Sequence, residues 1–293
     1  MAARDDGFSH SWKRLENIIR PTADSPQWDV DERHMEILFL LDEILHEPKF
    51  KPTDEDKAAL LAMLEKVRVE LSEKPKKSCA LIIVDPQNDF GRPNGSLYVP
   101  NGEEVVDEIN KFRVLLGDYI KATFITQDWH PTDHVSFATN HEGASLFSTI
   151  VLPDKTTQKL WPPHCVQGSE GADFLDGLIV KSTDIIIQKG ITTETDSYSG
   201  FGSEDHIKEC TSLLSFIKEL DITHVIVVGL ALEYCVSFTV KDACRNSLAT
   251  CVYIPACRGI SVEDCAKEMD TMKSMGAIMA YGPAGLLEFA KMK

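Results

Sequence analysis

The stretch Cys79-Ala80-Leu81-Ile82-Ile83-Val84-Asp85-Pro86-Gln87-Asn88-Asp89-Phe90 decides the fold. Its apolar run is unbroken, short, and ends at a carboxylate followed by proline. It lacks the alternation of a strand with one wet face, and reads as a strand buried on both faces. The pattern recurs downstream. A helix near 103–116 leads to a strand over 120–126. Thr183 to Lys189 carries three consecutive isoleucines, another buried strand. Ile207, Cys210, Leu214 and Ile217 line a helix before the strand His224–Gly229. A helix from Glu233 to about Asn246, a strand from Ala249 to Ile254, a helix over 262–275 and a short strand over 277–280 complete the series. This alternation predicts an α/β fold, a parallel sheet of about six strands with helices on both faces.

Upstream of residue 78 the sequence changes character. Ile37, Leu38, Leu40, Leu41, Ile44 and Leu45 recur at helical spacing. Pro48 and Pro52 close that segment. Thr53 is an N-cap candidate, with Asp54, Glu55 and Asp56 in the first turn of a second helix. Residues 1–77 therefore read as a helical N-terminal extension, with Lys74–Lys77 as linker, and 78–293 as the main domain. The extension has 13 basic and 17 acidic residues, a net charge of −4, so it is no basic docking arm. Asp29 and Asp31 are followed by Arg33, His34 and Met35, with no glycine at the sixth loop position, which speaks against a calcium loop.

Composition removes other classes. The 293 residues include 30 basic and 46 acidic side chains, a net charge of −16, unsuited to nonspecific phosphate binding and to nucleic-acid partners. Hydrophobic content of 43% is that of an ordinary globular domain and argues against a disordered chain. No apolar run approaches the roughly 18 residues of a membrane span. The N-terminus has no signal-peptide core, and the eight cysteines read as reduced thiols, so a cytoplasmic location is expected, with nothing to argue against a nuclear pool.

Ligands of open parallel sheets sit beyond the carboxyl ends of the strands. There the sequence places Asp85, then Gln127-Asp128-Trp129-His130, then Lys189-Gly190, then Gly229 with Cys235 six residues on. Asp128 and His130, at i and i+2 of an extended segment, share a face. With His164, in a segment stiffened by Pro162 and Pro163, they make one carboxylate and two imidazoles, a ligand set with open positions. His134, four residues after His130, is a further candidate ligand; Cys165 should point away from its neighbour His164. His141 reads as a hydrogen-bonded surface histidine. Cys235 falls where a strand gives way to a helix, where the helix dipole would lower a thiol pKa and free N–H groups could bind an oxyanion; its alternative is a buried structural cysteine. Asp85 at the end of an apolar strand would be desolvated toward general-base work, or else cap a turn. Lys189 calls for an anionic partner, Asp85 being one candidate, or else snorkels to the surface. Jointly a thiol, a carboxylate and a lysine at one sheet edge describe a nucleophilic hydrolase.

These residues carry a resemblance. Ala80 to Phe90, Asp128-Trp129-His130-Pro131, Trp161-Pro162-Pro163-His164-Cys165-Val166, Lys189-Gly190, Tyr198 to Phe201 and Gly229 to Val236, in this order, resemble the nicotinamidases of the isochorismatase-like cysteine hydrolase superfamily over about residues 79–282. The resemblance implies a catalytic triad of Asp85, Lys189 and Cys235. It implies metal ligands Asp128, His130 and His164, holding one divalent ion, zinc first, with iron and manganese as alternatives. Phe90, Trp161 and Tyr198 would line the nicotinamide pocket. A cis peptide at Leu230–Ala231 would turn backbone N–H groups toward the oxyanion, supplied by Ala231 and Cys235. The implied reaction is hydrolysis of nicotinamide to nicotinic acid and ammonia through a cysteine thioester, in NAD salvage, with pyrazinamide accepted as an analogue. The resemblance leaves room for a homo-oligomer. Another small amide or an isochorismate-type ether is the competing substrate class, and a binding protein on a hydrolase scaffold the non-enzymatic alternative.

Overall fold

A computed structural model describes residues 78–117, 119–203 and 208–291; the expected helical extension over 1–77 lies outside the described residues. Six strands form one all-parallel sheet: β1 Cys79–Val84, β2 Ile120–Asp128, β5 Ile185–Lys189, β6 His224–Gly229, β7 Ala249–Cys257 and β8 Ile278–Ala280, in the order β5-β2-β1-β6-β7-β8. Every residue of β1 and β6 is buried. Since successive side chains face opposite ways, both sheet faces are covered, as the continuous apolar runs require. The covering helices are α1 Asn88–Gly91, α2 Val105–Leu115, α3 Leu213–Glu219, α4 Ser237–Arg245, α5 Val262–Ser274 and α6 Pro283–Lys291. Phe112 of α2 meets Tyr253 of β7 edge-on at 5.4 Å, and Phe289 of α6 meets His224 of β6 at 5.7 Å. A small antiparallel hairpin, β3 Thr149–Val151 and β4 Thr157–Lys159, stands apart from the sheet.

Chain order places the site. The chain runs outward from β1 through β2 to β5, then returns to β6 on the other side of β1. The crevice where strand order reverses lies between β1 and β6, with Asp85 following one strand and Cys235 the turn after the other. No helix of the described residues is long and apolar enough to cross a membrane.

The α/β sheet expected from sequence is the one observed, with three differences. The helix placed over Ile207 to Ile217 begins at Leu213; Cys210 lies instead in an antiparallel bridge with Gly202, and Ile207 lies outside the described residues. Leu214 and Ile217 lie in α3 as expected, whereas Ser203 and Glu209 upstream are tied together, Ser203 N–H donating to Glu209 O (2.9 Å) and the Ser203 hydroxyl bonding Glu209 N–H and O. The helix placed from Glu233 opens with a π-type turn over Leu232–Val236, in which Tyr234 has non-helical angles, before α4. The hairpin, α1 and α6 are not among the elements expected from sequence.

Candidate active site

The functional side chains project from the carboxyl ends of β1, β2, β5 and β6. Asp85, at φ +44°, turns off β1 and is completely buried. Thr126 of β2 holds it twice, its hydroxyl accepting from Asp85 N–H (3.0 Å) and donating to Oδ1 (2.5 Å). Gln87 grips Asp128 from both sides: its side-chain carbonyl accepts from Asp128 N–H and its amide donates to Asp128 O, each at 2.8 Å. Trp129 N–H donates to Lys189 O (3.0 Å) and His130 N–H to Cys165 O (3.0 Å), tying the segment after β2 to the end of β5 and to the loop that carries His164.

Lys189 is the hub. Its Nζ, fully buried, lies 2.9 Å from Asp85 Oδ2 and 3.5 Å from Cys235 Sγ, donates to Ser197 O at 3.0 Å, and pairs with Asp128 Oδ1. Burial alone would drive the lysine to lose its proton; the carboxylates of Asp128 and Asp85 overrule it and hold its pKa well above the ordinary value. Asp85 moves the other way. Burial raises its pKa and outweighs Lys189, which lowers it. Its Oδ2 is fully buried and is met by the Lys189 ammonium, so a charged acceptor stands beside the Cys235 thiol. One oxygen of Asp85, one of Asp128 and Cys235 Sγ all lie within 4.8 Å of one another.

The sequence reading expected a helix N-terminus to depress the Cys235 pKa. The structure corrects this. Burial pushes the thiol well above its usual value, although Lys189 pulls it down, and the turn that carries it is π-type rather than α-helical. A thiol so placed rests protonated and needs a base. Leu230–Ala231 is a cis peptide bond, as the resemblance implied. Ala231 and Cys235 lie together in the cavity wall.

Asp128, His130 and His164 converge as expected, with one ligand atom of each within 4.8 Å of the others. His130 Nε2 lies 3.5 Å and His164 Nε2 4.0 Å from Asp128 Oδ2. Each histidine anchors its other nitrogen on a backbone carbonyl, His130 Nδ1 on Gly190 O and His164 Nδ1 on Pro162 O, both at 2.8 Å. An Nδ1–H donated to a carbonyl leaves the Nε2 lone pair facing the carboxylate, the outer-sphere arrangement of metal-binding histidines. This donor set fits a divalent metal. Burial and the neighbouring His130 lower the His164 pKa to about 4, keeping it a neutral donor. His134 is not part of this group. Its ring stacks on His130 at 4.1 Å, and both nitrogens are engaged, Nδ1 with Ser136 Oγ (2.7 Å) and Nε2 with Thr195 O (3.0 Å). Cys165, also outside it, turns its thiol toward Gly171 O.

Cys235 of the first group and Asp128 and His164 of the second line one pocket open to solvent, together with Phe90, Trp161 and Tyr198. Trp161 Nε1 donates to Tyr198 Oη at 2.8 Å, and Phe90 packs on His164 with centroids 5.5 Å apart. The sequence reading missed Leu97, Val99, Asp196, Tyr234 and Ile260 in the wall. Tyr234 directly precedes Cys235 and was findable; the others sit in loops with no periodicity to flag them.

A buried thiol, carboxylate and ammonium at the carboxyl edge of a parallel sheet, beside a metal-binding group, define an α/β cysteine hydrolase. Residues 79–281 match the isochorismatase domain, and the chain belongs to the isochorismatase family. A nicotinamidase of Acinetobacter baylyi is 41% identical over 194 residues, covering 66% of this chain and 87% of that protein. The solved nicotinamidase/pyrazinamidase of Acinetobacter baumanii superposes with a TM-score of 0.65 at 37% identity, over 72% of this chain and 98% of that one. A Pyrococcus horikoshii pyrazinamidase solved in complex with zinc gives a TM-score of 0.58 at 30% identity, over 69% of this chain and 98% of that one.

Proposed function

We propose that this chain is an amidohydrolase that converts nicotinamide to nicotinic acid and ammonia, contributes to NAD salvage, and also deamidates pyrazinamide. The observation that carries the reading is the convergence of Asp85, Lys189 and Cys235 with Asp128, His130 and His164 beside one aromatic-walled pocket that Cys235, Asp128 and His164 line, in a chain whose relatives are nicotinamidases. All eight cysteines are unpaired, which accords with a reducing cytoplasm.

The pyridine ring enters between Phe90, Trp161 and Tyr198. Asp128, His130 and His164 would hold a divalent ion, proposed to be zinc, which when bound supplies a Lewis-acid partner for the pyridine nitrogen. Asp85, ionised and raised in pKa, takes the proton from Cys235 as sulfur attacks the carboxamide carbon. The oxygen of the tetrahedral adduct takes hydrogen bonds from the N–H groups of Ala231 and Cys235. Asp85 then returns the proton to the amino group, the C–N bond breaks, ammonia leaves and a thioester remains. Water, giving up a proton to Asp85, attacks the thioester; the C–S bond breaks, nicotinic acid forms, and the thiol recovers its proton. Lys189 stays charged throughout and stabilises first the carboxylate, then the thiolate.

The test is ammonia release from nicotinamide by the purified metal-loaded protein, beside Cys235→Ala. The expected outcome is turnover in the parent and a loss on the order of 10⁴-fold or more in the variant, with fold and metal content unchanged. Full activity in Cys235→Ala would sink the reading.

A further inference from the structure

A third buried carboxylate lies beside the site without lining the pocket. Glu209 is 7% exposed. Its Oε2 accepts the N–H of Gly190 at 3.0 Å and the hydroxyl of Ser197; its Oε1 accepts the N–H of Ile191 at 3.1 Å. Its backbone is fixed by reciprocal bonds with Ser203 and by the Gly202–Cys210 bridge. The partners of Glu209 are the two ends of the loop that leaves β5, and each end carries one half of the site. Gly190 O holds His130 Nδ1, and Ser197 O accepts from Lys189 Nζ. Gly190, at φ +61°, packs so closely on His130 that a Cβ there would run into the imidazole. The loop therefore sets both the ring plane of His130 and the position of the ammonium, and Glu209 bonds to both of its ends.

We infer that Glu209 is a positioning residue that locks the 190–197 loop, so that a single carboxylate sets the orientation of His130 for metal binding and of Lys189 for chemistry. The inference deepens the proposed function and rests on it. A buried carboxylate bound to two N–H groups and a hydroxyl is a rigid three-point clasp, because each bond is charge-assisted and shielded from water. Outer-sphere groups of this kind are commonly worth about 10–100-fold in metal affinity or activity.

The experiment uses the full chain. Zn²⁺ affinity is measured by competition with a chromophoric chelator, kcat and KM for nicotinamide are measured separately, and folding is followed by thermal melting. Glu209→Ala should weaken Zn²⁺ binding about tenfold or more and lower kcat at least as much, with KM moving less. Glu209→Gln keeps one carbonyl acceptor and should fall between the alanine variant and the parent on both readouts. Ser197→Ala severs only the lysine end and should lower kcat while leaving Zn²⁺ affinity unchanged. A merely structural glutamate would lower the melting temperature while the folded fraction kept parental affinity and kcat; that result, or a Glu209→Ala variant within twofold of the parent on both, overturns the inference. A parent that binds no Zn²⁺ overturns the metal reading and this inference with it. A parent that binds Zn²⁺ with Glu209 variants equal to it overturns the inference alone.

Discussion

The lysine centre and the histidine centre share Asp128 and close their charge differently. Around Lys189 one ammonium faces two carboxylates, Asp85 and Asp128, all buried. Around His130 and His164 two imidazoles face the far oxygen of Asp128, each anchored by Nδ1 on a carbonyl. The first centre is complete in protein atoms but short of one positive charge. The second presents two imidazoles and a carboxylate, a donor set that is completed by a cation. The difference teaches that the two are one electrostatic unit. A single lysine cannot neutralise two buried carboxylates, and a divalent ion at the histidines would take up the charge that Lys189 leaves over.

The largest effect should come from breaking the shared member's partner. Lys189→Met removes the ammonium that pairs with both Asp85 and Asp128. Two uncompensated buried carboxylates should cost about 3–5 kcal/mol of folding free energy, read by denaturant unfolding. Turnover should fall on the order of 10³-fold or more, because the carboxylate and thiol lose the group that holds them apart in charge. A variant as stable as the parent would show that the two carboxylates are not both ionised, and the comparison would fail.

A smaller and more selective break is His164→Ala. It takes one donor from the histidine centre and touches none of the contacts of Lys189, which runs to Asp85, Asp128, Ser197 and Cys235. Zn²⁺ affinity should drop by more than about 100-fold, beyond what outer-sphere changes produce. Alkylation of Cys235 by a small reagent in metal-free protein should proceed at the parental rate. If that rate changes severalfold, the histidine centre shapes the thiol directly and the division between the centres is wrong.

How much of this was legible in the sequence follows from where each residue sits. Asp85, Asp128, Lys189 and Cys235 end strands or follow them closely, and a parallel sheet obliges such positions to meet at one edge; β5, expected from its three isoleucines to be buried, is instead an edge strand whose residues alternate between buried and exposed, because only one strand flanks it. The strands themselves were legible because double-sided burial writes an apolar run, as in Cys79–Val84 and His224–Gly229. The residues that tune the site were not. Glu209 acts through hydrogen bonds to Gly190, Ile191 and Ser197, partners twelve to nineteen residues upstream with no local pattern to point to them. Gln87 and Thr126 hold Asp128 and Asp85 from other strand ends, a pairing fixed by sheet register and absent from any local pattern. The charge state of Cys235 was misread for the same reason. Its position suggested a helix terminus, but its pKa is governed by burial, and burial is a property of the packed molecule.

Thr126→Val should give the smallest effect and the sharpest one. Thr126 sits under Asp85, donating to Oδ1 and accepting from its N–H, and lies outside the metal group. Burial already raises the Asp85 pKa, while the hydroxyl, like Lys189, favours the ionised form and lowers it. Without that hydroxyl the folded-state pKa must rise further. Proton abstraction from Cys235 requires ionised Asp85, so the acid limb of kcat/KM should move to higher pH, with Zn²⁺ affinity unchanged. Stability carries the same sign. A carboxylate whose folded pKa lies above its unfolded value of 3.8 contributes stability below that value and loses it as pH rises through the folded pKa. The valine variant should therefore lose more stability than the parent as pH rises through this window, over and above the pH-independent cost of the orphaned Asp85 N–H. An acid limb that stays in place while stability falls would assign the limb to another group and remove Asp85 from the role of base. A limb that moves together with Zn²⁺ affinity would mean that proton transfer and metal binding report one titration, and the two centres would then have to be treated as a single site.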